Sequence, residues 1–148
     1  MNNAGQSVRA TPISVIIPTL NEERTIIATL AHTATLGFDE LIVIDGGSTD
    51  DTPALVESYR LSTQSSALSP VQWVTAPPGR ARQMNEGAKA SRGEILLFLH
   101  ADTQLPRDAK TLIDTTLADR RMVGGRFDVQ FDRPSMWGTI ISRMMNWR

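Results

Sequence analysis

Short apolar runs alternate along this chain with longer segments in which apolar residues recur every three or four positions. The runs are rich in valine, isoleucine and leucine, and such runs are typical of buried β-strands. The longer segments have the period of amphipathic α-helices. We predict strands at 14–17, 41–44, 71–75 and 95–99, and helices at 22–36, 52–61, 80–90 and 106–117.

The order of these segments predicts an α/β fold. Strands that alternate with helices form βαβ units, whose strands pair in parallel. Right-handed crossovers place the connecting helices on both faces of the sheet, which gives three layers, α/β/α. We therefore expect a Rossmann-like architecture with a mainly parallel sheet.

Single residues set the predicted boundaries. Pro18 should stop the first strand because it has no N–H to donate. Asn21 is a candidate cap for the first helix, which Gly37 ends. Thr52 is the candidate cap of the second helix, with a proline next to it at the first helical position. The helix at 80–90 places Ala81, Met84 and Ala88 on one face.

Three regions of the chain differ in pattern. Residues 1–11 are polar and predict a disordered leader, whereas residues 12–133 predict one domain, with a further alternating strand at 123–131. Residues 134–148 predict an amphipathic helix whose apolar stripe we expect to be buried, as at the start of an acceptor-binding half. A homodimer face or a peripheral membrane contact through 136–148 is the alternative. The stripe consists of Trp137, Ile140, Ile141, Met144 and Met145.

Composition excludes several classes of protein. The chain has 148 residues, enough for one domain with a real core, and 41% of them are hydrophobic. A net charge of −1 gives no field that would attract nucleic acid, and the absence of cysteine excludes disulfides and thiolate chemistry. No apolar stretch reaches the roughly 18 residues of a membrane span. We expect a cytoplasmic protein, with peripheral contact at the inner membrane as the alternative.

The strand predicted at 95–99 carries the strongest chemical signal. Five apolar residues end abruptly at His100, Ala101 and Asp102, and such a run suits a strand buried on both faces. Ligands of open α/β sheets bind at the carboxyl ends of the strands, where Asp102 would lie. A carboxylate there suits a divalent cation that neutralises a diphosphate. The segment therefore predicts a nucleotide-diphosphate site.

Further polar loops should meet at the same edge of the sheet. The loops at 18–23, 45–51 and 100–102 each follow a predicted strand. Residues 79–82 begin a predicted helix, and its free N–H groups and two arginines suit a phosphate. Each of these residues also has an ordinary structural explanation as a cap, a turn residue or a partner of the helix dipole.

These stretches together resemble a known family. The segments SVIIPTLNEE at 14–23, VIDGGSTDDT at 43–52 and LFLHADTQLP at 97–106 resemble the family 2 glycosyltransferases, which have the GT-A fold. The segment GRARQMNEGA at 79–88 resembles a narrower bacterial subgroup associated with arsenosugar biosynthesis. Four such motifs in this order identify the part from about residue 12 to about residue 133 as a member of the family.

The resemblance implies an activity and a set of contacts. Family members transfer a sugar from a nucleotide-diphosphate donor, of the UDP or GDP type, to an acceptor, usually with inversion and with Mg²⁺ or Mn²⁺. By position, Asp102 matches the last aspartate of the family's DxD motif, which is the metal ligand. The positions that match nucleotide contacts are Pro18, Thr19, Glu22, Asp45 and Arg80.

Two positions depart from the family pattern. His100 stands where the DxD motif has its first aspartate, and an imidazole beside the metal favours Mn²⁺ over Mg²⁺. Gly46 stands where the second-strand motif of relatives has an aspartate that often reads the base. The resemblance therefore leaves the choice between uridine and guanosine open.

The catalytic base is not evident. A base must lie within hydrogen-bond reach of the attacking hydroxyl, and Asp128 and Asp132 are the candidates among the carboxylates that follow Asp102. We expect the base to lie outside this chain, which would then be the donor half of a longer transferase. The alternatives are a nucleotide-sugar-binding module without catalysis and a sugar-phosphate nucleotidyltransferase. The loop after the first strand lacks glycine, which disfavours the nucleotidyltransferase and a dinucleotide-binding dehydrogenase.

Overall fold

A computed structural model describes residues 11–119, 121–128 and 130. The chain divides into two units, 1–114 and 115–148, and the first contains the sheet. The described elements are β1 (Ile13–Thr19), α1 (Ile26–Ala34), β2 (Glu40–Asp45), α2 (Thr52–Thr63), β3 (Val71–Thr75), α3 (Arg80–Ala90), β4 (Ile95–Phe98) and α4 (Ala109–Leu117).

The described strands form one parallel sheet in the order β3-β2-β1-β4. The chain moves outward from β1 through β2 to β3 and then crosses back to the other side of β1. Right-handed crossovers therefore place α1 and α2 on one face and α3 on the other. The packing agrees, because α3 lies against β1 and β2 while α1 packs on α2. The predicted three-layer α/β architecture is confirmed.

Pro18 does not end β1, contrary to the sequence prediction. The strand continues to Thr19, and Pro18 pairs with Ile44 of β2. The backbone N–H and C=O groups of even-numbered residues in β1 point towards β4, since the Ile16 carbonyl accepts the Leu99 N–H at 2.9 Å. The nitrogen of Pro18 therefore points to a position beyond the end of the β4 ladder, where no hydrogen bond is lost.

The prediction that β4 is buried on both faces is wrong. Leu96 and Phe98 are 37% and 41% exposed, and within the described residues β4 pairs with β1 alone. An apolar run identifies a strand but does not distinguish an edge strand from a central one.

The helices also differ in detail from the predictions. Helix α1 begins four residues after its predicted start, with Thr25 as its N-cap, so Asn21 is not the cap. Asp51 rather than Thr52 precedes the first residue of α2. The buried residues of α3 are Gln83 and Gly87, and of the three residues predicted to share a face, Ala88 packs partly buried against the sheet.

Helix α3 lies unusually close to the sheet. A Cβ atom added at Gly87 would overlap the Ile16 Cγ2 and lie 3.1 Å from the Ile44 Cγ1. The buried cluster of Ile16, Ile42 and Ile44 fills the layer beneath this helix, together with Ala88 and Ala90. Glycine at position 87 therefore fixes the distance between helix and sheet.

A buried carboxylate closes the amino end of the sheet. Glu40 is 2% exposed and accepts hydrogen bonds from the Ser14 hydroxyl at 2.7 Å, the Gln72 amide at 2.8 Å and the Arg92 backbone N–H at 2.6 Å. Arg92 also pairs with it at 3.0 Å through an otherwise exposed guanidinium group. Burial raises the pKa of Glu40, but the bonds from Ser14 and Arg92 lower it by more, so the pKa lies below its ordinary value.

Two predictions for the carboxyl-terminal part are corrected by the structure, and the predictions for both ends of the chain lie outside the described residues. Helix α4 begins at Ala109 rather than 106, and the described residues of the predicted strand at 123–131 form no strand. The leader at 1–10 and the amphipathic helix at 134–148 lie outside the described residues. In the part of the chain that the structure describes, no helix is long and apolar enough to cross a bilayer.

Candidate functional site

The carboxyl ends of the strands bring the predicted loops to one edge of the sheet. Thr19 at the end of β1 pairs with Asp45 at the end of β2, which in turn pairs with Thr75 of β3. On the other side of β1, β4 ends at Phe98, opposite Ile16. The chain reverses its direction of travel across the sheet between β1 and β4, and such a switch point opens a crevice in α/β folds.

Asp45 organises the loop that follows β2. Its carboxylate is 4% exposed and accepts hydrogen bonds from the Gly47 N–H at 3.0 Å and the Ser48 N–H at 3.1 Å, as well as from the Ser48 hydroxyl. Gly47 has a φ of +93°, a conformation that favours glycine. The structure thus places this predicted nucleotide contact within its own turn, where its oxygens orient the loop's N–H groups.

The loop after β1 is hydrogen-bonded to the loop after β2. Asn21 has a φ of +55°, donates its N–H to the Ser48 hydroxyl at 2.9 Å and accepts the Thr49 N–H at 2.8 Å. Glu23 both donates to and accepts from the loop after β2. Its N–H donates to the Asp50 carboxylate at 3.1 Å, and its own carboxylate accepts the Asp51 N–H at 3.2 Å. These bonds join the two loops into one surface.

The same contacts lower the pKa of Asp50. Desolvation raises that pKa, but hydrogen bonds from Thr52 and from the Glu23 N–H lower it by more. Asp50 also accepts the Thr52 N–H at 3.0 Å, which satisfies a free donor at the start of α2. Its carboxylate is therefore structural, as the sequence suggested.

The other predicted contacts in the first loop are partly engaged. Thr19 is buried, and its hydroxyl donates to the Ile17 carbonyl at 3.0 Å, so its side chain is turned away from a ligand. Glu22 accepts the Thr25 hydroxyl at 2.8 Å and donates its N–H to the Thr52 hydroxyl at 2.8 Å. Pro18 is half-buried at the rim. Pro18 and Glu22 thus keep part of their surface exposed, whereas Thr19 does not.

The start of α3 supplies the basic groups. Arg80 and Arg82 are exposed and follow Gly79, whose φ of +126° permits a sharp turn into the helix. The Arg80 guanidinium lies 3.3 Å from the Nε2 of His100, across the gap between α3 and the end of β4. Because a guanidinium group can only donate, Nε2 is the acceptor in this contact.

Asp102 and His100 are both exposed on the loop after β4. Helix α1 holds the backbone of this loop: the Thr29 hydroxyl donates to the Ala101 carbonyl at 2.7 Å, and the His32 ring lies 2.7 Å from the Leu105 carbonyl. Sequence reasoning missed both contacts, because their partners lie more than seventy positions away along the chain.

The residues of this loop fit a divalent cation whose shell is completed by a ligand. From the part of the chain that the structure describes, Asp102 receives one weak hydrogen bond, from the adjacent Thr103 at 3.3 Å, which leaves carboxylate lone pairs available there. Among the described residues, no group of three or more acidic or histidine side chains could enclose an ion. Mg²⁺ and Mn²⁺ sites at phosphates are of this open kind, with one or two protein ligands and the rest from diphosphate and water.

Gln83 is a further site residue that sequence reasoning missed. It is 4% exposed, and its Nε2 donates to the Thr19 and Ile44 carbonyls, both at 2.8 Å. Its position four residues before Gly87, on the face of α3 that touches the sheet, is the signal that identifies it.

Comparisons with known sequences agree with this geometry. The model of the family "Glycosyl transferase family 2" matches residues 14–146. The chain is 37% identical over 95 residues to glucosyl-3-phosphoglycerate synthase of Mycobacterium tuberculosis, across 61% of this chain and 28% of that protein. It is 33% identical over 114 residues to the poly(ribitol-phosphate) beta-N-acetylglucosaminyltransferase TarS of Staphylococcus aureus, across 72% of this chain and 19% of TarS. The matched part thus spans less than a third of these relatives' length.

Solved structures give the same result for the fold. The mannosyltransferase PcManGT from Pyrobaculum calidifontis, in complex with GDP-Man and Mn²⁺, superposes with a TM-score of 0.63 at 29% identity, over 76% of this chain and 34% of that one. TarS of S. aureus in complex with UDP gives 0.56 at 29% identity, over 74% of this chain and 32% of that one. The GT-A fold expected from the motifs is confirmed, and the chain belongs to glycosyl transferase family 2.

Proposed function

We propose that this chain binds a nucleotide-diphosphate sugar and forms the donor side of an enzyme that transfers the sugar to an acceptor hydroxyl. The observation that carries the proposal is Asp102, an exposed and nearly unpaired carboxylate at the switch point of the sheet. The relatives and structural neighbours support it, since they are glycosyltransferases and two of the structures hold UDP or GDP-Man.

The diphosphate would lie between α3 and the loop after β4. Arg80 and the free N–H groups at the start of α3 offer donors to phosphate oxygens. Asp102, with His100 beside it, would hold Mn²⁺ or Mg²⁺, and the Mn²⁺ in the complex of PcManGT supports a divalent cation. Such a cation would mask the charge of the diphosphate and of the departing nucleotide.

The nucleoside would extend from the diphosphate across β1 towards β2. Pro18 and the joined loops after β1 and β2 would form the surface there, and Asp45 fixes the shape of the second loop by accepting the N–H groups of Gly47 and Ser48. Because these groups are held before a ligand arrives, binding requires little ordering of the backbone. The side chains of Glu22 and Thr19, the Glu22 N–H and both carbonyls are already hydrogen-bonded within the protein, so these two residues would shape the nucleotide surface rather than hydrogen-bond to the ligand.

The transfer itself would be an inverting displacement. The acceptor oxygen would attack the anomeric carbon as the bond from that carbon to the diphosphate oxygen breaks, and a carboxylate would take the hydroxyl proton. Glu22, Glu23, Asp45 and Asp50 are engaged in hydrogen bonds within the joined loops. Asp128 lies in the second unit and Asp132 outside the described residues, so the base is not assigned.

A second candidate is a nucleotide-sugar-binding module without catalysis. The engagement of those four carboxylates favours it for the first unit taken alone. The family match gives the nucleotidyltransferase alternative no support. The arsenosugar link of residues 79–88, a cytoplasmic location and contact with the inner membrane all stay predictions.

Titration calorimetry with UDP and GDP tests the proposal. One of them should bind in Mn²⁺, and a chelator or Asp102→Asn should weaken that binding by about 100-fold, because the cation links protein to diphosphate. The matched control is Asp108→Asn, which changes an exposed aspartate on the same segment. Equal binding with and without metal, by wild type and Asp102→Asn alike, would contradict the proposal. Donor turnover by the same preparation would separate the transferase from the binding module.

A further inference from the structure

The side-chain amide of Gln83 is held in one orientation. Both N–H groups of its Nε2 are used, one for the Thr19 carbonyl and one for the Ile44 carbonyl. These two carbonyls lie at the carboxyl ends of β1 and β2, so Gln83 bridges the strands where their ladder opens. A flipped amide would set Oε1 against two carbonyl oxygens, which repel it.

The Oε1 atom of Gln83 is left as an available acceptor. Within residues 11–119, 121–128 and 130, no group donates a hydrogen bond to it. It is also not sealed off: in this part of the chain, the enclosed side-chain atom without a partner is the Thr33 hydroxyl. The oxygen of this otherwise buried side chain is therefore partly accessible, beside the loop that follows β2.

Gly46 makes room for this amide. A Cβ atom at position 46 would lie 3.0 Å from the Gln83 Cδ and 3.2 Å from its Oε1, closer than ordinary contact. The loop after β2 therefore has no side chain at this point, and the polar group present there comes from α3. Because the loop has glycine at this point and α3 has glutamine opposite it, Oε1 is the hydrogen-bond acceptor at this position.

The location of Oε1 suits the nucleoside rather than the diphosphate. An acceptor oxygen repels phosphate oxygens, and the phosphate-binding groups lie by β4, on the far side of β1. Neighbouring strands are about 4.8 Å apart, so the bridge between β1 and β2 is roughly 7 Å from β4. A nucleoside attached to a diphosphate at β4 spans that distance.

Resting on the proposed function, we propose that Gln83 Oε1 accepts a hydrogen bond from the ring imino N–H of the donor's base. Uracil at N3 and guanine at N1 carry this N–H at the centre of the pairing edge, whereas cytosine and adenine have a lone pair there. Oxygen against lone pair is repulsive and leaves Oε1 without its partner. Gln83 thus selects uridine or guanosine donors against cytidine and adenosine donors.

Modified nucleotides test this on the unaltered protein. In Mn²⁺, the better ligand of UDP and GDP should lose about tenfold or more in affinity when its ring N–H is methylated, as in N3-methyl-UDP or 1-methyl-GDP. CDP should bind as weakly as the methylated ligand, whereas the 2′-deoxy nucleotide should keep its affinity within a few-fold. Equal binding of methylated and parent nucleotides overturns the inference, as does a large loss with the 2′-deoxy ligand alone.

A pair of glutamine variants gives an independent readout. Gln83→Ala should bring the affinity ratio of UDP to CDP, or of GDP to ADP, close to one. The matched control is Gln72→Ala, which removes an amide bonded to Glu40 at the opposite end of the sheet and should leave the ratio unchanged. A ratio is insensitive to partial unfolding, which affects both ligands equally. A preserved ratio in Gln83→Ala overturns this inference but leaves the proposed function standing. If the wild-type chain binds none of the nucleotides, both the inference and the proposed function are overturned.

Discussion

Glu40 and Asp102, two carboxylates at opposite ends of the sheet, differ in how fully the rest of the protein engages them. At the amino end, Glu40 is buried and every oxygen is engaged, by Ser14, Gln72 and Arg92. At the carboxyl end, Asp102 and Arg80 are exposed, and among the described residues each has one weak contact, unlike the buried Asp45 nearby. Glu40 with Arg92 and Asp102 with Arg80 thus combine a carboxylate and an arginine in two different ways.

The difference teaches where a ligand can act. A carboxylate whose bonds are all made within the protein contributes to stability and has little left for a ligand. One that is held by its backbone, with its side chain free, contributes little to stability and can take a cation. Substitutions at the two ends should therefore separate stability from binding.

The largest effect on stability is expected from Glu40→Ala. It strips acceptors from the Ser14 hydroxyl, the Gln72 amide and a backbone N–H, so the free energy of unfolding should fall by about 3 kcal/mol. Urea unfolding measures this loss. Nucleotide affinity of the folded fraction should stay within a few-fold, and a loss of binding as large as that in Asp102→Asn would break the distinction between the two ends.

The pH dependence provides the matched check on Glu40. Since the pKa of Glu40 is lowered on folding, its contribution is complete above its ordinary value of 4.5 and is lost as the pH falls through the lower folded value. Glu40→Gln should therefore lose less stability than wild type between about pH 6 and about pH 3.5. Parallel stability curves for the two proteins would show that Glu40 does not contribute in this way.

A smaller effect is expected from Gly87→Ala, which acts between the two ends. The new methyl group would overlap Ile16 and push α3 away from the sheet, at a cost of about 2 kcal/mol. The shift would also loosen the Gln83 bridge, so nucleotide affinity should fall together with the unfolding midpoint. Gly124→Ala is the control, because its Cβ would meet nothing within 4 Å.

The smallest effect distinguishes two threonines one turn apart on α1. Thr29→Val leaves the buried Ala101 carbonyl without its hydrogen bond and should cost about 1 kcal/mol, with weaker Mn²⁺-dependent binding because Asp102 follows directly. Thr33→Val removes a buried hydroxyl that has no partner among the described residues and should leave stability unchanged or raise it. Equal losses in both variants would show that the bond to the loop does not matter.

Most of the layered fold could be predicted from local pattern. The limits of β3 and α3 agree with the prediction, because each is bounded by proline or glycine and has a clear period. The errors arise where tertiary context decides. Pro18 fits inside β1 because its neighbour β4 has already ended, and β4 is half exposed because it lies at the edge of the described sheet.

The site was predictable as a set of loops but not as a set of contacts. Strand order brings Asp45, Arg80 and Asp102 to one edge, as the motifs suggested. Which side chains stay available depends on hydrogen bonds across 20 or more positions, such as Arg80 to His100 and Gln83 to Thr19. Gln83 and Glu40 are polar residues on buried faces. They were missed because a search for periodic apolar residues does not identify buried polar ones.

The hydrogen bonds between Asn21 and residues 48–49 have a consequence for the kinetics of ligand entry. Since they fix both loops in the free protein, the nucleoside half of a ligand should dock onto a nearly rigid surface at a rate set by encounter. The segment around Asp102 is exposed and is held by two contacts from α1 and by the weak contact between Arg80 and His100, so any slow adjustment is expected there, after the base has bound. Nucleotide binding would thus be biphasic, with fast docking of the nucleoside on the β2 side of β1 and slower docking of the diphosphate on the β4 side.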